Sequence, residues 1–197
     1  IILRDRLAAQ PARTPVAEVT VPAAVLASHA GLYRNRSTEE VVEFEVKGNR
    51  LASTRGARFE LIPVGSGIYR RANSTQDIRF AAVNGKTQLV MGDGIDSPNE
   101  FEKTARFTPS AAQLQEYVGT YQSPELDLRI ELAIENGVLV AKRRLQQPAR
   151  LQPTFRDGFS GNGYWVFTPD AAGKVNGFRF TQGRVRHVRF CGRPFTC

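Results

Sequence analysis

The chain repeats itself, and this constrains the fold more than its composition does, because each copy must either close on a core of its own or stack on its neighbour. Leu26-Ala-Ser-His29-Ala-Gly31-Leu-Tyr33 aligns with Leu114-Gln-Glu-Tyr117-Val-Gly119-Thr-Tyr121, an offset of 88 residues. The register persists: Phe44-Glu-Val46-Lys-Gly-Asn-Arg-Leu51 matches Leu132-Ala-Ile134-Glu-Asn-Gly-Val-Leu139 at the same offset, Leu61-Ile-Pro63 answers Leu151-Gln-Pro153 at 90, and Phe101 answers Phe190 at 89. Two copies of one unit therefore fill about 26–107 and 114–191.

Each copy reads as β. Val42, Phe44 and Val46 alternate with Glu43, Glu45 and Lys47, and Leu128, Ile130, Leu132 and Ile134 alternate with Arg129, Glu131 and Glu135. A period of two puts one face in a core and the other in water. Turn residues recur at short spacing: Gly48-Asn49, Asn84-Gly85, Asn136-Gly137, Asp170 to Gly173, Asn176-Gly177 and Gln182-Gly183. Seven or eight short strands fit in each copy, which predicts an all-β chain of two tandem small antiparallel up-and-down barrels, closure being what removes exposed edges. Only short helices fit, one at Val21-Pro22-Ala-Ala-Val-Leu26 and one after Thr108-Pro109-Ser110. The expected organisation is a linker over 1–20 leading from an upstream domain, a first barrel over 21–107 and a second over 108–197. In this reading Gly31 and Gly119 allow close approach or a bend where the first strand enters, and Tyr33 and Tyr121 pack over the barrel end.

Composition narrows the function classes. No run approaches 18 apolar residues, so no membrane partner is expected. Twenty-seven basic against nineteen acidic residues give +8, but only five of the basic residues are Lys and the Arg are scattered; Lys142-Arg143-Arg144 and Arg184, Arg186, Arg189 and Arg193 are the densest groups. No nucleic-acid-binding motif accompanies them, so an Arg-rich solvated surface is expected and nucleic acid is not. Cys191 and Cys197 are separated by Gly192-Arg193-Pro194-Phe195-Thr196, which suits a small disulfide loop in an oxidising compartment, with two free thiols as the alternative. Two thiols cannot close a zinc site, and no metal or other cofactor is expected.

The search for chemistry finds little. None of the serines has Lys three residues on, and Lys-Thr-Gly is absent, Lys86-Thr87-Gln88 and Lys103-Thr104-Ala105 being the nearest. Tyr33-Arg34-Asn35 fits the Tyr-x-Asn element of class C β-lactamases, yet Tyr121 repeats Tyr33 without an Asn two residues on. His29 stands where the other copy has Tyr117, which favours packing, and His187 lies in the Arg-rich last strand; neither accompanies a Gly-x-Ser-x-Gly elbow. The oxygen-rich stretch Asp93 to Glu100 lacks the EF-hand frame and reads as an acidic turn. Glu39-Glu40 and Glu43/Glu45 read as the outer face of a strand, and Trp165 as an anchor of the β core, the alternative being that Tyr164-Trp165 beside Phe155 and Phe159 line a ligand pocket or sugar platform.

At Leu-x-x-Tyr-x-Gly-x-Tyr followed by a hairpin, Leu151-Gln-Pro153, Asp157-Gly-Phe159, Val166 to Asp170 and Gly173 to Phe178, the second copy resembles the lipocalin-like C-terminal domains of serine β-lactamase-related hydrolases. That group includes D-aminopeptidase, CubicO-type peptidases and penicillin-binding-protein-like esterases. The first copy is similar more loosely, His29 being the first departure. The resemblance implies a catalytic domain with Ser-x-x-Lys upstream in the same polypeptide, a periplasmic or secreted location, and a non-catalytic role for the barrels in active-site access, specificity or assembly, including homo-oligomer formation. It carries no catalytic residue onto this chain. The alternative is a free-standing binding module holding a small apolar or cell-wall-derived ligand.

Overall fold

The computed structural model describes residues 17–72, 74–92 and 99–195. Helix α1 (Ala23–His29) precedes eight strands: β1 (Gly31–Arg34), β2 (Val41–Lys47), β3 (Arg50–Ser53), β4 (Glu60–Gly65), β5 (Ile68–Arg71), β6 (Asp77–Val83), β7 (Lys86–Met91) and β8 (Asn99–Thr104). Helix α2 (Ala111–Gln115) precedes β9 (Gly119–Ser123), β10 (Leu128–Glu135), β11 (Val138–Lys142), β12 (Ala149–Pro153), β13 (Gly158–Ser160), β14 (Tyr164–Pro169), β15 (Val175–Gln182) and β16 (Val185–Gly192). Each set of eight pairs consecutively and closes on itself, β1 against β8 and β9 against β16, so the chain is two closed antiparallel barrels with up-and-down connections. The short helices, tandem order and eight strands per copy are those predicted by the repeat.

The inward faces fill the barrels. Tyr33, Phe44, Leu51, Leu61, Tyr69, Ile78, Phe80, Leu89 and Phe101 form the first core, with Leu26 of α1 set into one end. Tyr121, Leu132, Leu139, Leu151, Phe159, Trp165, Phe167, Phe178 and Phe190 are among those forming the second, with Leu114 and Tyr117 entering at the end nearest α2. Ser110 caps α2, its hydroxyl accepting from Gln113 N–H at 3.3 Å while the Gln113 side chain accepts from Ser110 N–H at 2.9 Å. The alternation stops short of the strand ends: Val46 is 43% exposed because it lies past the core layer, next to the Gly48-Asn49 turn.

Two local expectations change. Asn176-Gly177 is not a turn but lies inside β15, where Gly177 faces Cys191; a Cβ there would meet the Phe190 carbonyl at 2.6 Å, so glycine serves close strand approach. Glu39 is not on a strand's outer face but in the connection after β1, with only 2% exposure.

Candidate functional site

The repeated motif builds one end of each barrel in the same way. Tyr33 Oη donates to the His29 carbonyl at 2.8 Å, and Tyr121 Oη donates to the Tyr117 carbonyl at 3.0 Å. The hydroxyl thus ties the first strand to the end of the preceding helical segment. Burial pushes the Tyr121 hydroxyl up to about 12 and raises that of Tyr33 further, with Tyr69 adding to the latter. Gly31 and Gly119 are not equivalent. Gly31 has φ +123 and leaves room for Lys103, whose Nζ donates to the Ser28 carbonyl at 2.6 Å, whereas Gly119 lies against the Tyr121 ring, 3.5 Å from where its Cβ would be.

His29 and Tyr117 occupy the same place with different partners. His29 Nδ1 is 2.9 Å from Tyr69 Oη, and its ring stacks on Phe80 at 4.7 Å. Burial, then the charge of Lys103, lowers the His29 pKa. In the second barrel Tyr117 Oη donates to Asp157 Oδ1 at 2.8 Å, and the counterpart of Tyr69 is Phe159, which has no hydroxyl. The exchange is paired: where the histidine becomes a tyrosine, its partner moves from Tyr69 to Asp157, whose own counterpart is Gly67. Asp157 adopts the left-handed backbone of Gly67, φ 62 against 67, a conformation that aspartate tolerates better than most residues.

A second cluster joins the barrels. Leu32 and Val41 on the outside of the first barrel pack against Phe155 and Val166 of the second. The Arg34 guanidinium lies 4.0 Å from the centre of the Phe155 ring and donates through Nε to Glu39 Oε2 at 2.6 Å; Arg179 of β15 stands 3.8 Å from the other Glu39 oxygen. Arg55 donates to Ser160 Oγ at 3.2 Å and to the Pro153 carbonyl at 3.1 Å. An irregularity in β15/β16 pairing beside Thr181 lets its hydroxyl accept from His187 N–H at 3.1 Å and leaves His187 with φ 50. The ring then reaches the Ser37 carbonyl at 2.9 Å, which requires the hydrogen on Nε2 because a carbonyl only accepts. Sequence reasoning missed this seam, because it depends on which outer faces meet.

The third feature is the open end of the second barrel, away from α2. A cavity of about 180 Å³ is lined by Leu128, Ile130, Ala141, Ala149, Trp165, Phe180 and Phe190, with Gln146, Gln147, Asn162, Gln182 and Arg143 among its polar boundary. Trp165 is in the core, 4% exposed, with its indole Nε1 donating to the Gly161 carbonyl at 2.8 Å, and its ring also forms part of the cavity wall. The nearby basic triplet spreads over an open surface depression, where Lys142 pairs with Glu135 at 2.7 Å.

No family model and no curated protein matches this sequence.

Among the described residues, no three His, Cys, Asp or Glu side chains converge and no helix is long and apolar enough to cross a membrane. Cys191 is buried at the end of β16. Its expected disulfide partner, Cys197, lies outside the described residues, as do residues 1–16 of the expected linker and residues 93–98 of the acidic turn.

Proposed function

We propose that this chain is a non-catalytic accessory region that shapes substrate access, specificity or assembly of a serine β-lactamase-like hydrolase in the same polypeptide, in a periplasmic or secreted setting. The parent hydrolase is what the resemblance of the second copy implies, and the observation that carries the non-catalytic role is how both histidines are used. His29 is held between the Tyr69 hydroxyl and the Phe80 ring, and His187 is turned to a backbone carbonyl across the seam. A general base for acyl transfer must reach a solvent-accessible hydroxyl or thiol nucleophile and be oriented by a third group, whereas the Tyr69 hydroxyl belongs to a fully buried side chain and His187 meets only a carbonyl. The polar residues joining the barrels serve position: Arg34, Glu39, Arg55 and His187 set one barrel against the other, as a region presenting loops to a neighbouring active site requires. Such a region acts by excluding water and oversized substrates without supplying a reacting group.

The test is kcat/KM of the full-length polypeptide against a version ending before Val21, over D-aminoacyl amides, short esters and β-lactams, with folding of the shortened enzyme checked by circular dichroism. A changed order of substrate preference is expected. An unchanged order and unchanged assembly state would overturn the proposal.

A further inference from the structure

The repeat makes each barrel a control for the other, and their open ends differ. Pairing registers align the layer position by position. Ile78 faces Met91 in the first barrel as Trp165 faces Phe180 in the second, while Phe80 faces Leu89 as Phe167 faces Phe178. Leu51 faces Leu61 as Leu139 faces Leu151. Extending that last register by two residues along each strand, Ser53 and Phe59 of the first barrel correspond to Ala141 and Ala149 of the second. Ser53 N–H donates to the Phe59 carbonyl at 2.9 Å, and Ala141 is the strand partner of Ala149.

In the first barrel Phe59 packs edge-on against Phe44 at 6.0 Å, and the Arg71 guanidinium covers its ring at 3.8 Å. The benzyl group fills that end and a cation seals it. In the second barrel the two alanines leave the space unfilled, and the cavity of about 180 Å³ lies against them, opposite Trp165 and Phe180. An apolar cavity of about 150 Å³ lined by aliphatic and aromatic groups is enough to hold benzene. At the opening stand Leu126 and Val185, which are 53% and 46% exposed, an apolar rim on a surface otherwise rich in Arg. Arg143 supplies the cation at the cavity wall and, among the described residues, has no carboxylate partner, in contrast to Lys142 beside it.

We propose that the open end of the second barrel is a binding site for a small carboxylate whose apolar part is about one aromatic ring in size. The ring takes the place that Phe59 occupies in the first barrel, against Ala141, Ala149, Trp165 and Phe180. The carboxylate lies at the mouth, where Arg143 supplies charge and Gln146, Gln147 and Gln182 supply amide donors. Recognition follows the usual division in small-molecule sites, with apolar walls for affinity and a few polar groups for orientation. The proposal is independent of the accessory reading, since a ligand site of this kind fits a free or an attached barrel.

Trp165 is the only tryptophan of the chain, so its emission reports on this wall directly. The probe is 3-phenylpropionate, titrated into the whole chain to about 10 mM, with 3-phenylpropanol as the uncharged comparison; a ligand of this size is expected to bind with Kd on the order of 0.1–10 mM. Saturable change in Trp165 emission is expected, weaker for the alcohol. Ala149→Phe, which installs the first barrel's own residue, is expected to weaken both by at least about tenfold, and Arg143→Gln to weaken the acid while leaving the alcohol unchanged. No saturable change in the natural chain, or full binding by Ala149→Phe, would overturn the proposal. Should Ala149→Phe fail to fold, amide chemical-shift changes in the natural chain decide: shifts clustered at Ala141, Ala149, Phe180 and Gln182 support the site, and shifts elsewhere or none refute it.

Discussion

Replacing Tyr121 by alanine separates what the repeated tyrosine contributes as a ring from what it contributes as a hydroxyl, provided phenylalanine is measured beside it. The ring is 3% exposed and packs at 5.2 Å against Phe178 and 6.2 Å against Phe167, both edge-on, while Gly119 and Gly192 bring backbone against its other sides. Backbone on two sides cannot collapse into the vacated volume, so Tyr121→Ala is expected to cost about 3–5 kcal/mol, as for other buried aromatics. The hydroxyl makes one buried hydrogen bond, to the Tyr117 carbonyl at 3.0 Å. Tyr121→Phe removes that donor alone and leaves the buried carbonyl without it, at about 1–2 kcal/mol. Equilibrium urea unfolding is the assay. Trp165 packs on Phe178 at 5.0 Å, so its fluorescence follows the second barrel even if the barrels unfold separately. A loss below about 1 kcal/mol for Tyr121→Ala would refute the argument that the motif is core, and equal losses for the two variants would refute its division between ring and hydroxyl.

Two further outcomes follow from the seam and the first barrel. Arg34→Met leaves the Glu39 carboxylate, 2% exposed, with only Arg179 at 3.8 Å, and is expected to destabilise the chain by about 3 kcal/mol; adding Glu39→Gln is expected to restore part of the loss in a double-mutant cycle, and strict additivity would refute the pairing. The His29 pKa is lowered in the folded state, so the unfolded chain binds its proton more readily. Its contribution is present above the unfolded value near pH 6.5 and is lost as pH falls through the lower folded value. Urea melts between pH 7.5 and 5 are therefore expected to show a decline that is smaller in His29→Gln, and the same decline in both chains would show that other groups cause it.

The architecture was legible because barrel formation rests on local signals. Period-two alternation marks strands, Asn84-Gly85 and Asn136-Gly137 mark hairpins through their left-handed backbone, and an offset of about 88 residues marks two copies of one unit. The alignment also paired His29 with Tyr117, and the two side chains stand at the same end of their barrels with different partners. Asn176-Gly177 misled for a definite reason: a dipeptide common in turns is also a dipeptide without bulk, and here Gly177 answers to the neighbouring Phe190 carbonyl.

The sequence by itself determined how many barrels form, which strands build them and which side of each strand faces inward, since hydrophobic period and turn chemistry act over a few residues at a time. Only the tertiary structure decided how the barrels meet and where space is left. Glu39 is buried where Arg34, itself stacked on Phe155 of the second barrel, and Arg179 of that barrel meet it, and nothing in the residues adjacent to it marks that. Ala149 reads as one more small strand residue until barrel closure brings Trp165 and Phe180 to face it. A cavity is a difference between the volume a closed surface encloses and the volume its side chains fill, and that difference exists only once distant strands have met.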